Sequence, residues 1–227
     1  MKLAREFIKD PSLVLYLPLW KRDGASFMSD DKHGHLATVT GALWTPRGRS
    51  FDGTDDKIAL PNNAFNWMTG AFTIEVWFNL TTLTGAHFLF SIFVDANNQF
   101  HLQQIDGITA VQFYLYEGGV NLLQKQTALL VTSVNTHLVF LWDGLGKTDA
   151  NIRCWQNNEE KTNVAYSNYA GTPTGISGIL GTHINEIGVQ NAGGYFNGKI
   201  MELRLYNRVL TVQEIQHNYL ATKWRYK

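Results

Sequence analysis

The feature that most constrains the fold is a period of two over nine positions, 72–80, in which every second residue is apolar. Successive side chains of a β-strand point to opposite faces, so a period of two over this length predicts a strand with one apolar face. The segment His137–Trp142 is apolar on both faces, which predicts a central strand of a sandwich. The alternation places Phe72, Ile74, Val76, Phe78 and Leu80 on one face, with Thr73, Glu75, Trp77 and Asn79 on the other.

Two further alternating segments extend this pattern along the chain. Turns rich in Gly, Asn and Asp separate the segments every ~8–12 residues, which is typical of a β-sandwich or barrel. Strands do not alternate with helices, which argues against a doubly wound nucleotide-binding fold. In the first segment Phe100 and Leu102 alternate with His101 and Gln103, and in the second Val111, Phe113 and Leu115 alternate with Gln112, Tyr114 and Tyr116. We expect one sheet's inner face to hold Ile74, Val76, Phe78, Phe113, Leu115, Phe140, Leu203 and Leu205.

One helix is predicted, over residues 211–223. Thr211 and Glu214 fit a capping box with Thr211 as the N-cap. Val212, Ile215 and Tyr219 recur at helical spacing and form one apolar stripe. We expect this helix to lie against the sandwich and to cover an edge or an end. Residues 1–12 are predicted to be a loose N-terminal arm, so that the domain spans residues 13–227.

Composition favours a folded all-β domain and excludes several function classes. Aromatic residues make up 13% and charged residues 17% of the chain, which suits half-buried pleated surfaces. Lys+Arg and Asp+Glu both number 19, so no net positive charge favours nucleic-acid binding. The single cysteine, Cys154, excludes an intramolecular disulfide and is expected to be a buried strand residue. The N-terminal segment has neither a signal-peptide pattern nor a membrane span.

Three segments resemble the laminin-G-like, concanavalin-A-like lectin/glucanase family. They are Gly41–Trp44 leading into Gly48–Ile58, with F-D-G-T-D-D-K-I, then Phe72–Trp77, F-T-I-E-V-W, and Phe196–Leu210, with M-E-L-R-L-Y-N-R-V-L. The resemblance implies an all-β jelly-roll sandwich of two antiparallel sheets with one short C-terminal helix. It also implies an extracellular or viral-surface protein, because members bind sugars, proteins or calcium in such places. Met201 departs from the family pattern, which has Asp there, so any metal role of that Asp is missing here.

Carboxylates are concentrated in one turn, which is the candidate metal site. Asp52, Asp55 and Asp56 fall within five residues, and Asp30 is a fourth candidate from another loop. Calcium prefers clustered oxygen ligands, so calcium is the candidate cofactor. The alternative interpretation is a turn in which Asp side chains accept hydrogen bonds from nearby backbone N–H groups.

The candidate ligand-binding surface is the strand face that points away from the core. Aromatic rings can stack on sugar rings, while amides and a carboxylate can bind hydroxyl groups. The alternative interpretation is that a long loop or the terminal helix covers Trp77. The candidate residues are Glu75, Trp77, His101, Gln103, Gln112, Tyr114 and Tyr116.

The residues favour binding over catalysis. Hydrolysis of a glycoside needs two carboxylates across the scissile bond, and no predicted strand carries such a pair. Glu75 stands alone on its strand, and Glu202 is expected to pair with Arg204. We therefore predict a non-catalytic module for a glycan or another surface ligand, with no nucleic-acid partner and no membrane insertion. A structural or assembly module, which includes a homo-oligomer, is the second hypothesis, and a glycoside hydrolase or lyase is the third.

Overall fold

Two antiparallel sheets hold the strands of the described part of the chain, as the alternating sequence predicts. The computed structural model describes residues 10–118, 120–126, 131–146, 148, 150–161 and 174–226. Most of the predicted N-terminal arm, residues 1–9, lies outside this part. The elements are β1 (Leu13–Pro18), β2 (Ser26–Met28), β3 (Leu36–Thr40), β4 (Leu43–Thr45), β5 (Gly48–Asp52), β6 (Lys57–Leu60), β7 (Phe72–Leu80), β8 (His87–Asp95), β9 (Asn98–Gln104), β10 (Val111–Glu117), β11 (Val120–Gln126), β12 (Thr136–Trp142), β13 (Ile152–Gln156), β14 (Glu159–Lys161), β15 (Ile184–Ile187), β16 (Asn197–Tyr206) and α1 (Val212–Tyr226).

Each sheet has eight strands within the described residues. Sheet I has the order β14-β13-β12-β7-β16-β5-β4, and β1 also pairs with β16. Sheet II has the order β11-β10-β9-β8-β15-β6-β3-β2. Strands that follow one another in the sequence often lie far apart or in opposite sheets. This topology confirms the predicted jelly-roll sandwich, with β12 between β7 and β13 as the doubly apolar segment predicts.

The core lies between the two sheets and is dominated by phenylalanine. Phe72 of sheet I contacts Phe100 and Phe113 of sheet II, both with ring centroids 5.6 Å apart. All eight predicted core residues are buried to 1% exposure or less, but Phe113 and Leu115 belong to sheet II and the other six to sheet I. The prediction of a single inner face is therefore wrong, because facing strands of both sheets fill one core. Cys154 is buried in β13, as predicted.

Helix α1 begins as predicted but packs differently. Thr211 Oγ1 accepts the Glu214 N–H at 3.2 Å, and Glu214 Oε2 accepts the Thr211 N–H at 2.8 Å, which confirms the capping box. The helix continues to Tyr226, and Val212 is exposed, so the predicted apolar stripe is only partly correct. The residues buried on α1 are Ile215, Asn218, Thr222 and Tyr226.

The position of α1 also differs from the prediction. Its side chains bond to residues of β7 and β16, which are central strands of sheet I. The helix therefore covers the outer face of sheet I and not an edge or an end. No helix in the described ranges is both long and apolar enough to span a membrane.

Candidate functional site

The seven predicted ligand-binding residues separate onto two different surfaces. Glu75 and Trp77 lie on β7 of sheet I, and the other five lie on β9 and β10 of sheet II. The expectation that all seven share one face is wrong, because the alternation of a strand gives its face but not its sheet. Both sheets have an outer face, and the two must be described separately.

The outer face of sheet I carries a buried network of charges. Glu75 Oε1 lies 2.7 Å from His137 Nε2 and 2.9 Å from Arg204 Nη1. Arg204 also pairs with Glu202. Asn218 of α1 donates a hydrogen bond of 2.9 Å to the second oxygen of Glu75. Glu75, Glu202 and Arg204 are each at most 2% exposed, so α1 seals these charges from solvent.

The electrostatics of this network keep Glu75 ionised. Burial alone raises the pKa of the Glu75 carboxyl, but the Arg204 charge and the His137 hydrogen bond outweigh it and lower the pKa to about 2. A general acid needs a pKa raised towards the working pH. Glu75 thus has the chemistry of a structural ion pair.

Trp77 lies beneath the same helix. Its ring stacks on Tyr219 with centroids 5.7 Å apart, and its indole N–H donates to Thr222 Oγ1 at 3.0 Å. Both contacts come from α1, and the side chain is buried. This arrangement corresponds to the alternative interpretation from the sequence, in which the terminal helix covers Trp77.

The remaining five predicted residues meet on the outer face of sheet II and form what we name the platform. Three rings stack in a row, with His101 and Tyr114 centroids 4.5 Å apart and Tyr114 and Tyr116 centroids 4.8 Å apart. Beside the rings, Gln103 Nε2 donates a hydrogen bond of 2.9 Å to Gln112 Oε1. Cross-strand pairing of His101 with Tyr114 and of Gln103 with Gln112 sets these contacts. The platform is His101, Gln103, Gln112, Tyr114 and Tyr116.

A tight turn at residues 190–193 borders the platform. Gln190 donates from its side-chain amide to Gln99 Oε1 at 2.8 Å and to His101 Nδ1 at 3.0 Å. Gly194 follows with φ of 63°, and a Cβ there would collide with the ring of Phe88. Glycine thus lets the turn approach sheet II closely. The turn adds an amide to the platform edge and fixes the His101 ring.

His101 is neutral in the folded protein. It is almost wholly buried, and burial lowers the pKa of its imidazole to about 3. Since Gln190 donates to Nδ1, the proton of the neutral ring lies on Nε2. The platform therefore offers neutral rings and amides, not a cation, beside Tyr114.

Three of the four predicted metal ligands come together. One oxygen from each of Asp52, Asp55 and Asp56 lies within 4.8 Å of the others. Burial and then the neighbouring negative charges raise the pKa of the Asp56 carboxyl, although it also accepts the Asp52 N–H at 2.9 Å. Asp30 is not in this cluster, because it pairs with Lys21 and lies 3.7 Å from Arg22. The prediction of Asp30 as a fourth ligand is wrong.

Residues from outside the two predicted strands complete the platform. Phe88 of β8 contacts His101 edge to face, with centroids 5.2 Å apart, and Gln190 reaches it from the turn. Neither was predicted. The turn comes 89 residues after His101, and no local pattern indicates where such a turn docks.

A sequence profile described as the concanavalin A-like lectin/glucanases superfamily matches residues 52–216. No curated protein sequence matches the chain. Among solved structures, Trypanosoma rangeli sialidase in complex with sialic acid superimposes with a TM-score of 0.65 at 17% identity. The match covers 94% of this chain and 33% of the sialidase, so the chain spans about a third of that relative.

Two smaller domains superimpose as well. Domain 4 of AbnA, a GH43 extracellular arabinanase from Geobacillus stearothermophilus, was solved in complex with arabinotriose. It gives a TM-score of 0.64 at 18% identity and covers 92% of this chain and 98% of that domain. The CBM40 of the Ruminococcus gnavus IT-sialidase, bound to α2,3-sialyllactose, gives a TM-score of 0.51 at 19% identity. The match covers 65% of this chain and 81% of the CBM40. At these identities the similarity establishes the fold.

Proposed function

Because the chain belongs to the concanavalin A-like lectin/glucanases superfamily, we propose that it is a non-catalytic carbohydrate-binding module whose site is the platform on sheet II. The observation that carries the proposal is the row of stacked rings, His101, Tyr114 and Tyr116, beside the Gln103–Gln112 amide pair. The solved complexes of AbnA domain 4 and of CBM40 with oligosaccharides support the ligand class.

The platform has the chemistry that a sugar chain needs. The rings of Tyr114 and Tyr116 are half-buried and offer apolar surface for the C–H face of a pyranose or furanose. A glutamine amide has two donors and one acceptor, and the Gln103–Gln112 bond uses only one donor and one acceptor of the pair. The rest can bind sugar hydroxyls. Stacked and hydrogen-bonded neighbours hold the side chains in place, which lowers the entropic cost of binding.

Three carboxylates near the two faces, Glu75, Glu202 and Glu186, support a binder and not a hydrolase. Glu75 and Glu202 share Arg204 beneath α1. On sheet II, Glu186 is 3% exposed and is paired with Lys57 at 2.8 Å. Glycoside cleavage requires one carboxyl group to donate a proton and a second to assist from the opposite side of the sugar. Carboxylates held in buried ion pairs do not supply this chemistry.

A glycan array followed by titration calorimetry tests the proposal. We expect Tyr114→Ala and Tyr116→Ala each to weaken binding of the array ligand about tenfold, because each removes a stacking surface. Leu180→Ala, an exposed residue outside the platform, is the matched control and should keep the affinity. If glycan binding survives both tyrosine substitutions, the site lies elsewhere. Release of reducing ends from a polysaccharide panel would contradict the non-catalytic proposal.

We also propose that the Asp52, Asp55 and Asp56 cluster takes calcium. Three carboxylate oxygens within 4.8 Å of one another are suited to a hard cation with oxygen ligands. If a metal binds only the folded state, millimolar calcium must raise the unfolding temperature, and a chelator must reverse the increase. Asp55→Asn, at an exposed position, should reduce the increase. An unfolding temperature that is the same with calcium and with chelator would contradict this assignment.

A further inference from the structure

Trp20 and Trp224 both contact Arg225, and Trp44 hydrogen-bonds to the Trp20 backbone, on a surface separate from the platform. Trp20 follows β1, Trp44 belongs to β4, and Trp224 and Arg225 lie in the last turn of α1. Trp224 is 66% and Trp44 37% exposed, although tryptophan is usually largely buried. Exposed rings linked to one another in this way indicate a recognition surface. We name Trp20, Trp44, Trp224 and Arg225 the tryptophan patch.

The rings of the patch are fixed in place. Trp44 donates its indole N–H to the Trp20 carbonyl oxygen at 3.1 Å, and Trp224 donates to the Ala221 carbonyl oxygen at 2.8 Å. The indole N–H groups of these two rings are therefore satisfied by the protein itself. Trp44 and Trp224 can therefore make apolar contacts with a ligand through their ring faces, and neither indole N–H needs a partner from the ligand.

The arginine of the patch supplies a charge. Its guanidinium carbon lies 3.5 Å from the ring centroid of Trp20 and 4.6 Å from that of Trp224. A guanidinium stacked on a ring keeps its N–H donors in its own plane, directed away from the ring. No ion pair or hydrogen bond between described residues uses these Arg225 donors.

We infer that the tryptophan patch binds an acidic saccharide. A pyranose ring would stack on Trp224 or Trp44, and its carboxylate would take two parallel hydrogen bonds from Arg225. The inference rests on the proposed carbohydrate-binding function and adds to it a second site with a different ligand class. The platform is electrically neutral and belongs to sheet II, whereas the patch is cationic and lies at α1 and β4 of sheet I. One polysaccharide carrying both kinds of unit could therefore engage both sites and gain avidity.

Two matched pairs of probes separate the charge of the ligand from its shape. The first pair is α2,3-sialyllactose and lactose, and the second is trigalacturonate and its methyl ester. Each is titrated into the whole protein labelled with ¹⁵N, and the tryptophan indole N–H signals are followed. We expect the acidic member of at least one pair to shift the Trp224 and Trp44 signals, and its neutral partner to leave them in place.

Variants assign the effect to the patch. Arg225→Gln should weaken binding of the acidic probe about tenfold, since it removes a charge-assisted pair of hydrogen bonds. The affinity of Arg225→Lys should lie between those of the unsubstituted protein and Arg225→Gln, because lysine keeps the charge and loses the planar fork. Trp224→Ala should weaken binding as well, and the control Leu180→Ala should not. All these positions are at least partly exposed, and unfolding temperatures measured in parallel check that each variant is folded.

Different outcomes overturn different statements. If an acidic probe binds and loses affinity in Tyr114→Ala but not in Arg225→Gln, the second site is wrong and the platform proposal stands. If neither acidic probe shifts an indole signal at millimolar concentration, the second site is wrong. If neither the acidic probes nor any glycan of the array binds, both proposals fall. If Trp44→Ala or Trp224→Ala changes the mass found by light scattering, the patch joins two copies of the chain, and the saccharide inference is overturned.

Discussion

Both outer faces of this sandwich carry aromatic and polar side chains, but those of sheet I are covered by α1 and those of the platform on sheet II are partly open. On sheet I, Glu75 and Trp77 lie beneath α1 in a network of ion pairs and hydrogen bonds. On sheet II, Tyr114 and Tyr116 stack beside an amide pair and stay half-buried. The charged face is covered by the chain itself. In the neutral platform, the Gln103–Gln112 pair keeps amide donors and an acceptor that no described residue uses.

The difference lies in how each face satisfies its polar groups. A buried charge is tolerated only when it is paired and hydrogen-bonded, and Glu75 has Arg204, His137 and Asn218 for this purpose. Such a network is buried beneath α1 and has no place for a ligand. Amides and tyrosines carry no charge, so they can remain at a solvent boundary at small cost and exchange water for a ligand. A face that is covered by its own helix and a face that is open to a ligand therefore need different polar chemistry.

The largest expected effect comes from breaking the covered face. Arg204→Leu leaves Glu75 and Glu202 buried without their shared cation, and we expect a loss of about 3–5 kcal/mol in the free energy of unfolding. Urea denaturation measures it. Adding Glu75→Gln and Glu202→Gln to Arg204→Leu should recover part of the loss, because no unpaired charge then remains. A loss below about 1 kcal/mol in the single variant would contradict a sealed ion-pair network.

The same comparison can be made with one aromatic residue from each face. Trp77→Ala removes a ring packed between β7 and α1 and should destabilise the fold by about 3 kcal/mol. Tyr114→Ala removes a ring that is half-buried and should cost less in the same urea titration. The effects on glycan affinity should have the opposite order: Tyr114→Ala should weaken binding, and Trp77→Phe should leave the affinity unchanged. Equal costs of unfolding for Trp77→Ala and Tyr114→Ala would remove the distinction between the two faces.

Much of the fold could be predicted from the sequence because its signals are local. The alternation in residues 72–80 and the doubly apolar 137–142 predict strands, and the Thr211–Glu214 pair predicts the helix start, all confirmed here. The packing of α1 could not be predicted in the same way. Its buried side includes Asn218 and Thr222, which a search for apolar spacing rejects. They are buried because Glu75 and Trp77 of β7 supply their hydrogen-bond partners.

The candidate site could be predicted in part for a related reason. His101, Gln103, Gln112, Tyr114 and Tyr116 come from two strands that are adjacent both in the sequence and in sheet II. Glu75 was grouped with them because alternation indicates a face and not a sheet. Its true partner, Arg204, is 129 residues further on, and only the pairing of β7 with β16 brings the two together.

The two faces should also differ in the pH range over which they affect stability. Burial lowers the pKa of His101 on sheet II to about 3 from an ordinary 6.5. The unfolded chain therefore takes up this proton first, and stability should fall as the pH drops from 6.5 towards 3. Glu75 and Glu214 on the α1 side have pKa values lowered to about 2 from 4.5, so their contribution is present above 4.5 and lost below it. A single proton gives a slope of at most about 1.4 kcal/mol per pH unit.

Urea titrations at several pH values separate these contributions. His101→Gln should flatten the slope from pH 6.5 towards 3, including the range above 4.5 in which the two carboxylates do not contribute. Glu214→Gln should flatten the slope only below 4.5, with a smaller effect because its pair with Arg208 is partly exposed. If His101→Gln leaves the upper part of the profile unchanged, His101 is not held neutral by burial, and the platform carries a charge in acid.

The smallest expected effect concerns the first turn of α1, where the covered face can be loosened without touching its charges. Thr211→Ala removes the side-chain acceptor of the Glu214 N–H and should lower the free energy of unfolding by about 1 kcal/mol. Thr211→Ser keeps a hydroxyl acceptor and should keep most of the stability that the cap contributes. Because α1 contacts sheet I, hydrogen exchange should speed up in the helix and in β7, while β9 and β10 keep their protection. Glycan affinity should not change. Faster exchange in β9 and β10, or weaker binding, would mean that α1 supports the platform through the core, and the two faces would no longer be independent.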